Sequence, residues 1–575
     1  MPRKLPDGRG STLFDEFMIG MAGVPSRFKE GMLVLSGDVL LLFNSLQIDA
    51  MFRGAAAISI KAHVSTGKNH GVFLNDGNDD VARFLHKQTE EYLAEAGAIN
   101  ERGYVDLDTG AVLFDCELME ALYGLVSTNG IADEEKFQTF VNEEARISFY
   151  GDFLYPLAKE STLENYYQET AEGTINERLL SCRRQIWEAT RGFSMKMICL
   201  SPAEFIHFGI TRELRDLVTE EVEDYAFLDW KRQVVSTAPE GVGYAGHNAY
   251  IGHAARIEDH AYIEHSYILG KTHIGTGAVV SGVHLRDLDV PAGTVWHGLP
   301  LQDGRHVVRV YGVDDNPKGR REASYLTGTL LEMMKKNDLT PEMLWDDVEE
   351  DFLWFARLYP VCETQEEAEG YAGLLYRMAE GTADQNEVHK WKAMERTSLY
   401  ESFHRADLKI IRSYERELES RILARRFCEQ LKEGVYYREA LQVFGKKGIT
   451  EEIYRELMAD AEKAEDALKI RIYYAISRFM KETKRSLGGT LYDHTESLCF
   501  GHIRKRIYED AVRHLPDSRR YAIQKEQVEV QLPVRVNWGG GWTDTPPQCN
   551  EMGGVVLNCA MKLRGICPVQ VTVRN

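Results

Sequence analysis

Two short polar stretches and one histidine series in this 575-residue chain have the residue types and spacing to do chemistry. The first stretch is Ser36-Gly37-Asp38, lying between the apolar runs Met32–Leu35 and Val39–Phe43. In open parallel sheets ligands bind beyond the carboxyl ends of strands, so an Asp there is placed to hold a metal–phosphate complex. A plain Gly-Asp turn accounts for the same tripeptide equally well. The second stretch runs from Pro533 to Pro547 and contains Gly539-Gly540-Gly541-Trp542-Thr543-Asp544. Asp544, coming after a Gly-rich turn, could accept hydrogen bonds from two sugar hydroxyls. Arg535 could neutralise a developing alkoxide or a transferring phosphoryl group. The competing account is a β-hairpin in which these side chains are structural. The series His247, His253, His260 and His265 could hold a metal or act in acyl transfer, but exposed coil positions explain it more simply.

The elements that must position these residues fall into four parts. Residues 1–235 read as an α/β domain. Residues 236–324 carry a six-residue repeat and its exit segment: Ile251, Ile257 and Ile263, then after one five-residue step Ile268, Ile274 and Val280. A stacked aliphatic at this period, with small residues between, predicts a short parallel β-helix, which Pro291-Ala292-Gly293-Thr294 would end. Residues 325–527 predict a helical linker domain. Ile411, Tyr414, Leu418, Ile422 and Leu423, and later Ile453, Leu457, Ala461, Ala464, Leu468, Ile472 and Ala475, fall at helical spacing. Residues 528–575 begin a further unit with the strand-like Val528–Leu532.

Composition narrows the function classes. A net charge of -21, with no basic block, argues against a nucleic-acid partner. No apolar run approaches the roughly 18–20 residues that span a bilayer, and the start lacks a signal-peptide core. The nine cysteines are scattered, with no Cys-x-x-Cys, as expected of reduced thiols in a cytoplasmic protein.

Pro533-Val534-Arg535-Val536-Asn537 with Gly539-Gly540-Gly541-Trp542-Thr543-Asp544 resembles the opening motif of the galactokinase, homoserine, mevalonate and phosphomevalonate kinase group. In that group a phosphate loop and a catalytic Asp come further along the chain, so the stretch reads as the start of an α+β kinase domain. With Leu33–Val39, His70–Phe73, Phe84–Lys87, Glu204–Leu214 and Val310–Asp315, nearly the whole chain resembles the bifunctional L-fucokinase/fucose-1-phosphate guanylyltransferases. The resemblance implies a nucleotidyltransferase-like sheet, a β-helix, a helical linker and a sugar kinase, in that order. It implies GTP and a sugar 1-phosphate as partners, ATP and L-fucose for the kinase, and Mg²⁺ as cofactor. By position, Asp38 would hold Mg²⁺ and Lys87 would neutralise the attacking sugar phosphate. Asp106, Thr109 and Gly110 look like a sugar-contacting segment; His207, Gly209 and Thr211 look like a segment near metal and phosphate. Members of the family open this domain with a strand and a Gly-rich, Arg-containing loop that grips the nucleotide. None precedes Ser36, so the sheet is expected to be incomplete, the chain truncated at both ends, and Lys4 left to contact phosphate.

Other readings stay open. A heptose-type sugar-phosphate enzyme shares the Gly-Gly-x-Thr-Asp-x-Pro-Pro pattern. A catalytically silent scaffold, a β-helix and helical array that forms a homo-oligomer, is a different class, which metal-dependent nucleotide binding would separate from an enzyme. An acyltransferase, suggested by the repeat alone, would require coenzyme A binding.

Overall fold

The computed structural model describes residues 31–43, 52–142, 144–169, 175–514, 525–546 and 548–574. The chain forms two compact units, Met1–Leu217 and Val218–Asn575. Lys4 lies outside the described residues.

In the first unit the strands are β1 (Met32–Leu35), β2 (Val39–Phe43), β3 (Gly54–His63), β4 (Gly71–Asn75), β5 (Val81–His86) and β6 (Tyr104–Phe114). Next come a small hairpin, β7 (Ser127–Thr128) and β8 (Ile131–Ala132), and then β9 (Ser194–Leu200) and β10 (Ala203–His207). The main sheet runs β5-β4-β6-β3-β9, with β1 also on β6. Its centre is buried on both faces because β3 opens with small residues. Ala55 and Ala57 pack with Val112, Phe114 and the helices Cys116–Gly124 and Glu177–Thr190. Ala56, Ile58 and Ile60 pack with Leu107, Leu113 and Leu200 on the other side. That period of two is the ordinary strand alternation.

The sheet departs from the open parallel arrangement the sequence suggested. Of the described strand pairs in this unit only β3–β9 is parallel. β1, β4 and β3 all run antiparallel to β6, and β2 pairs antiparallel with β10 in a separate two-stranded sheet. The short link between β4 and β5 makes them antiparallel neighbours, since parallel pairing needs a long crossover.

A break in the β3–β6 ladder sets the geometry beside Ser36. Ile58 faces Ala111 and Ser59 faces Asp108, so Thr109 and Gly110 bulge from β6. Gly110 takes a left-handed φ of 69°, and a Cβ there would lie 2.8 Å from Ser36 Cβ and 2.9 Å from the Tyr150 hydroxyl. Only glycine fits this bulge without displacing both neighbours.

The second unit begins with a β-solenoid. Strands Gln233–Ser236, Ala245–Ile251, Tyr262–Leu269, Val279–Ser281 and Thr294–Pro300 stack in parallel, and His306–Gly312 closes the sheet antiparallel to the last. Ile263, Ile268, Ile274 and Val280 of the repeat are fully buried in its core. The coil cannot bury this face alone, so each layer depends on its neighbour. Helices Gln365–Glu380 and Leu408–Lys432 dock against it. The His284 N–H donates to Glu369 (2.6 Å), Asn248 donates to the Glu415 carbonyl (2.9 Å), and Tyr414 meets Tyr267 edge-on. Burial pushes the Glu369 carboxyl up to about 7. Further helices, Glu451–Lys463, Asp466–Thr483 and Tyr492–His514, pack their stripes, Ile453, Leu457, Ala461, Ile472 and Ala475 among them, around Phe427 and Phe444.

The last strands pair as two antiparallel ribbons, Gln527–Leu532 with Val569–Arg574 and Val534–Gly539 with Leu557–Met561. Among the described residues no helix is long and apolar enough to cross a membrane.

Candidate functional site

The Ser36–Asp38 turn leaves β1 beside the β6 bulge, and the Ser36 N–H donates to the Gly110 carbonyl (3.0 Å). A chain of hydroxyls then aims Asp38. Tyr150 donates to Ser36 Oγ (3.0 Å), and Ser36 donates to Asp38 Oδ1 (2.6 Å). Burial raises the Tyr150 phenol to about 12, so it stays a donor at neutral pH. Asp38 itself is 49% exposed, and its second oxygen, Oδ2, faces the edge of β10.

Pairing of β2 with β10 sets Val39 opposite His207, and the Phe208 N–H donates to the Asp38 carbonyl (3.0 Å). His207 Nε2 therefore stands 3.6 Å from Asp38 Oδ2, while its Nδ1 lies 2.8 Å from Glu213 Oε2. Glu213 belongs to the helix that starts at Thr211. Gly209 closes the third side. A Cβ on it would lie 2.7 Å from His207 Nε2 and 2.9 Å from Asp38 Oδ2, so any other residue would fill the gap between them.

His70 packs on the far side of His207, ring centroids 4.8 Å apart, and on Phe205 at 5.3 Å. Burial, then the neighbouring His207, holds His70 below its ordinary range, so it is neutral near pH 7. The Lys87 N–H donates to the His70 carbonyl (2.9 Å), and Lys87 has a left-handed φ of 51° as the chain leaves β5. The turn after β5 thereby brings Lys87 to the same cluster, and its charge acts on His70 along with those of Asp38 and Glu213.

The remaining expected residues are placed differently. Asp106 pairs with Lys61 (2.6 Å), and the buried Thr109 donates its hydroxyl to the Ile58 carbonyl (2.7 Å). Both brace the ladder, and Gly110 alone of that segment touches the Asp38 network. Thr211 begins the helix that carries Glu213. Arg535 sits mid-strand opposite Ala560, and Asp544 lies in the turn beyond Gly541. Among the described residues no ion pair joins those two. In the solenoid, His247 and His265 meet edge-on at 5.3 Å, His253 accepts from Arg425 (3.2 Å) and His260 lies 3.6 Å from Glu220. No cluster of three metal-ligating side chains occurs among the described residues.

Sequence reasoning did not single out Ser36, His70, Asp108, Tyr150 or Glu213 as site residues. Ser36, His70 and Glu213 fall inside the stretches that carry the family resemblance, which is the signal that could have found them; Tyr150 stands alone and carries none. Asp108 accepts the Gly110 N–H (2.9 Å) from inside the bulge, and burial pushes its carboxyl up to about 7.

As an arrangement, one half-exposed carboxylate, oriented through one oxygen and open at the other, can serve a divalent cation that keeps water and phosphate oxygens as its other ligands. The gap kept clear by Gly209 fits that use, and Lys87 supplies positive charge nearby.

Residues 1–364 match the fucose pyrophosphorylase domain. The bifunctional fucokinase/GDP-fucose pyrophosphorylase of Arabidopsis thaliana is 22% identical over 638 residues, covering 99% of this chain and 57% of that protein. The L-fucokinase/L-fucose-1-P guanylyltransferase of Bacteroides fragilis is 28% identical over 566 residues, covering 94% of this chain and 53% of that protein. The chain thus spans about half the length of these curated relatives. A match over residues 1–364, which takes in the whole Asp38–His207 cluster and the solenoid, shows that the chain belongs to the fucose pyrophosphorylase domain family.

Proposed function

We propose that the chain is a fucose-1-phosphate guanylyltransferase, joining GTP and L-fucose 1-phosphate to give GDP-L-fucose and pyrophosphate. The observation that carries this reading is Asp38, fixed through Ser36 and Tyr150 at one oxygen and open beside Gly209 at the other. The reaction brings a sugar-phosphate dianion onto the α-phosphorus of a nucleotide, so charge neutralisation is the main requirement. Asp38 would hold Mg²⁺, which supplies charge neutralisation on the nucleotide phosphates when bound. Lys87 meets the attacking phosphate. His207, backed by Glu213, stands beside Asp38 Oδ2 and lends an N–H or a lone pair at Nε2. The attacking phosphate is already ionised and needs no general base. Residues 1–235 act here as the nucleotidyltransferase domain.

Residues 528–575 support a second activity by their motif: the opening of an L-fucokinase domain in which Arg535 and Asp544 meet ATP and sugar. That activity is proposed for the whole protein, not assigned to this chain.

The test is pyrophosphate release by the purified chain with GTP, Mg²⁺ and L-fucose 1-phosphate. Release that requires both substrates and is lost in Asp38→Asn is expected. Equal turnover by Asp38→Asn would sink the site assignment. A folded chain that binds no GTP would favour the scaffold, and a preference for heptose phosphates would move the substrate class.

A further inference from the structure

The solenoid sheet carries a row of polar side chains that runs straight across its strands. Register places His247 beside Glu264, Glu264 beside Ser281, Ser281 beside His297 and His297 beside Arg309. Their neighbours along the strands, Ile263, Val280 and Trp296, are buried in the coil, so this row lies on the opposite face. One isolated bridge carries backbone pairing beyond the strand of Arg309. His306 and Cys362 exchange backbone hydrogen bonds (2.8 and 2.9 Å) in an antiparallel bridge. Extending that register by three residues brings Tyr359 alongside Arg309, and Tyr359 is itself paired with Thr397. His297, Arg309, Tyr359 and Thr397 therefore line one end of the row.

This end is short of acceptors. Arg309 Nη2 donates to His297 Nδ1 (2.5 Å), which leaves the imidazole proton on Nε2. Among the described residues Arg309 Nε and Thr397 Oγ1 are buried without a hydrogen-bond partner, and the Tyr359 hydroxyl faces that of Tyr325. Two carboxylates of this region already hold other donors. Glu264 accepts from Tyr262 (2.8 Å) and Ser281 (2.7 Å), and Asp315 accepts the Gly312 and Leu326 N–H groups (2.5 and 2.9 Å). The ionisable groups acting on Arg309 are Tyr311 and Tyr359, and burial lowers its affinity for the proton. A desolvated guanidinium is costly unless paired, and buried polar groups are as a rule hydrogen-bonded. Two orphaned groups, one of them on an Arg with no counter-ion among the described residues, mark a place built for something else. A cation is disfavoured beside the guanidinium. Guanidinium, phenol, hydroxyl and imidazole N–H are all donors, which suits a ligand with several acceptor oxygens and negative charge.

We infer that Arg309, His297, Tyr359 and Thr397 form a binding site for a phosphate-type oxyanion, separate from the Asp38 cluster. The oxyanion is either free phosphate or the phosphoryl group of a sugar phosphate. The site does not depend on the reaction proposed for the first unit.

Crystals of the full chain soaked in tungstate should show anomalous density within hydrogen-bonding distance of the Arg309 guanidinium. Ordered water alone at that position, in crystals that take up tungstate elsewhere, overturns the proposal. In titration calorimetry with inorganic phosphate, Arg309→Met should weaken binding at least tenfold, and Tyr359→Phe severalfold, while Asp38→Asn leaves it unchanged. The reverse pattern, with loss in Asp38→Asn and none in Arg309→Met, also overturns it. Should Arg309→Met fail to fold, Tyr359→Phe and Thr397→Val carry the same comparison. Tighter binding of a sugar 1-phosphate than of inorganic phosphate, lost in the same variants, identifies the sugar phosphate as the source. Equal binding identifies free phosphate.

Discussion

The Ser36–Asp38 turn and the Gly539–Asp544 turn each set an aspartate after glycine, and the molecule supports them very differently. Asp38 is held by Ser36 and, through it, by Tyr150 from a distant helical turn; the Gly110 bulge braces Ser36, and His207 and Gly209 arrive on β10 and the loop after it. The second turn closes mainly on its own hairpin. Gly540 has a left-handed φ of 74° against the Val555 carbonyl, and the Thr543 hydroxyl meets the Gly540 and Val555 carbonyls at 2.6 and 3.0 Å. Around it Trp542 is 83% exposed, and Val528, Val530, Val571 and Val573 are exposed on the paired strands. A site needs its reactive groups locked by surrounding packing and hydrogen bonds, and only the first turn has that support among the described residues. Among the described residues the longer sequence motif thus lies on the less supported structure.

The contrast can be broken most directly by exchanging each aspartate for asparagine. Asp38→Asn should lower pyrophosphate release by about 100-fold or more, the scale of lost metal and electrostatic stabilisation. Asp544→Asn should leave it unchanged; a comparable loss there would mean the two turns serve one reaction. Gly209→Ala comes next. Its methyl would enter the gap between Asp38 and His207, and a drop of roughly 10- to 100-fold in turnover at nearly constant unfolding midpoint is expected from such a displacement. Gly110→Ala combines a strained φ with a clash against Ser36 and Tyr150 and should cost about 2–4 kcal/mol in denaturant unfolding. Gly540→Ala, by contrast, should disturb its own hairpin and leave the main transition in place.

A smaller effect concerns pH. Asp108, buried against the same bulge, has its folded carboxyl raised to about 7 from an unfolded value near 3.8. The folded state therefore binds more protons than the unfolded chain between those values. Asp108 supports stability fully below the unfolded value, and that support is lost as pH rises through about 7. Asp108→Asn should flatten the decline in unfolding midpoint between pH 5 and 8, and an unchanged slope would assign the decline to other groups. Glu369, raised to about 7 in the second unit, should shape that unit's pH response in the same sense. Smallest of all, Tyr150→Phe removes one hydrogen bond to Ser36 and should cost about 1 kcal/mol, with a modest fall in turnover from a looser Asp38.

Much of the architecture was legible from particular residues. The six-residue spacing of Ile251 to Val280 anticipates the solenoid, and the stripe through Leu418 and Ile422 anticipates a helix, whose burial extends beyond that stripe to Ser420, Ala424 and Phe427. The strand Met32–Leu35 and the turn after it stand where the apolar runs put them. The mixed sheet was not legible, because strand direction depends on which neighbour each strand finds. Nor were the opposite fates of Thr109 and Gly110, which arise from a two-residue slip against β3.

Periodicity is local. Each coil of the solenoid and each turn of a helix repeats the same burial requirement, so a single chain displays it without knowledge of the fold. The family resemblance in the sequence likewise rests on short stretches of residues. Tertiary structure alone decided that Tyr150 reaches Ser36, 114 positions away in the chain, and that His207 stands between Asp38 and Glu213. It alone set Arg309 beside Tyr311 and Tyr359, with no carboxylate ion pair among the described residues. Those outcomes depend on register and on distances of a few ångströms between remote segments, and nothing in the local pattern of a strand records what will lie beside it.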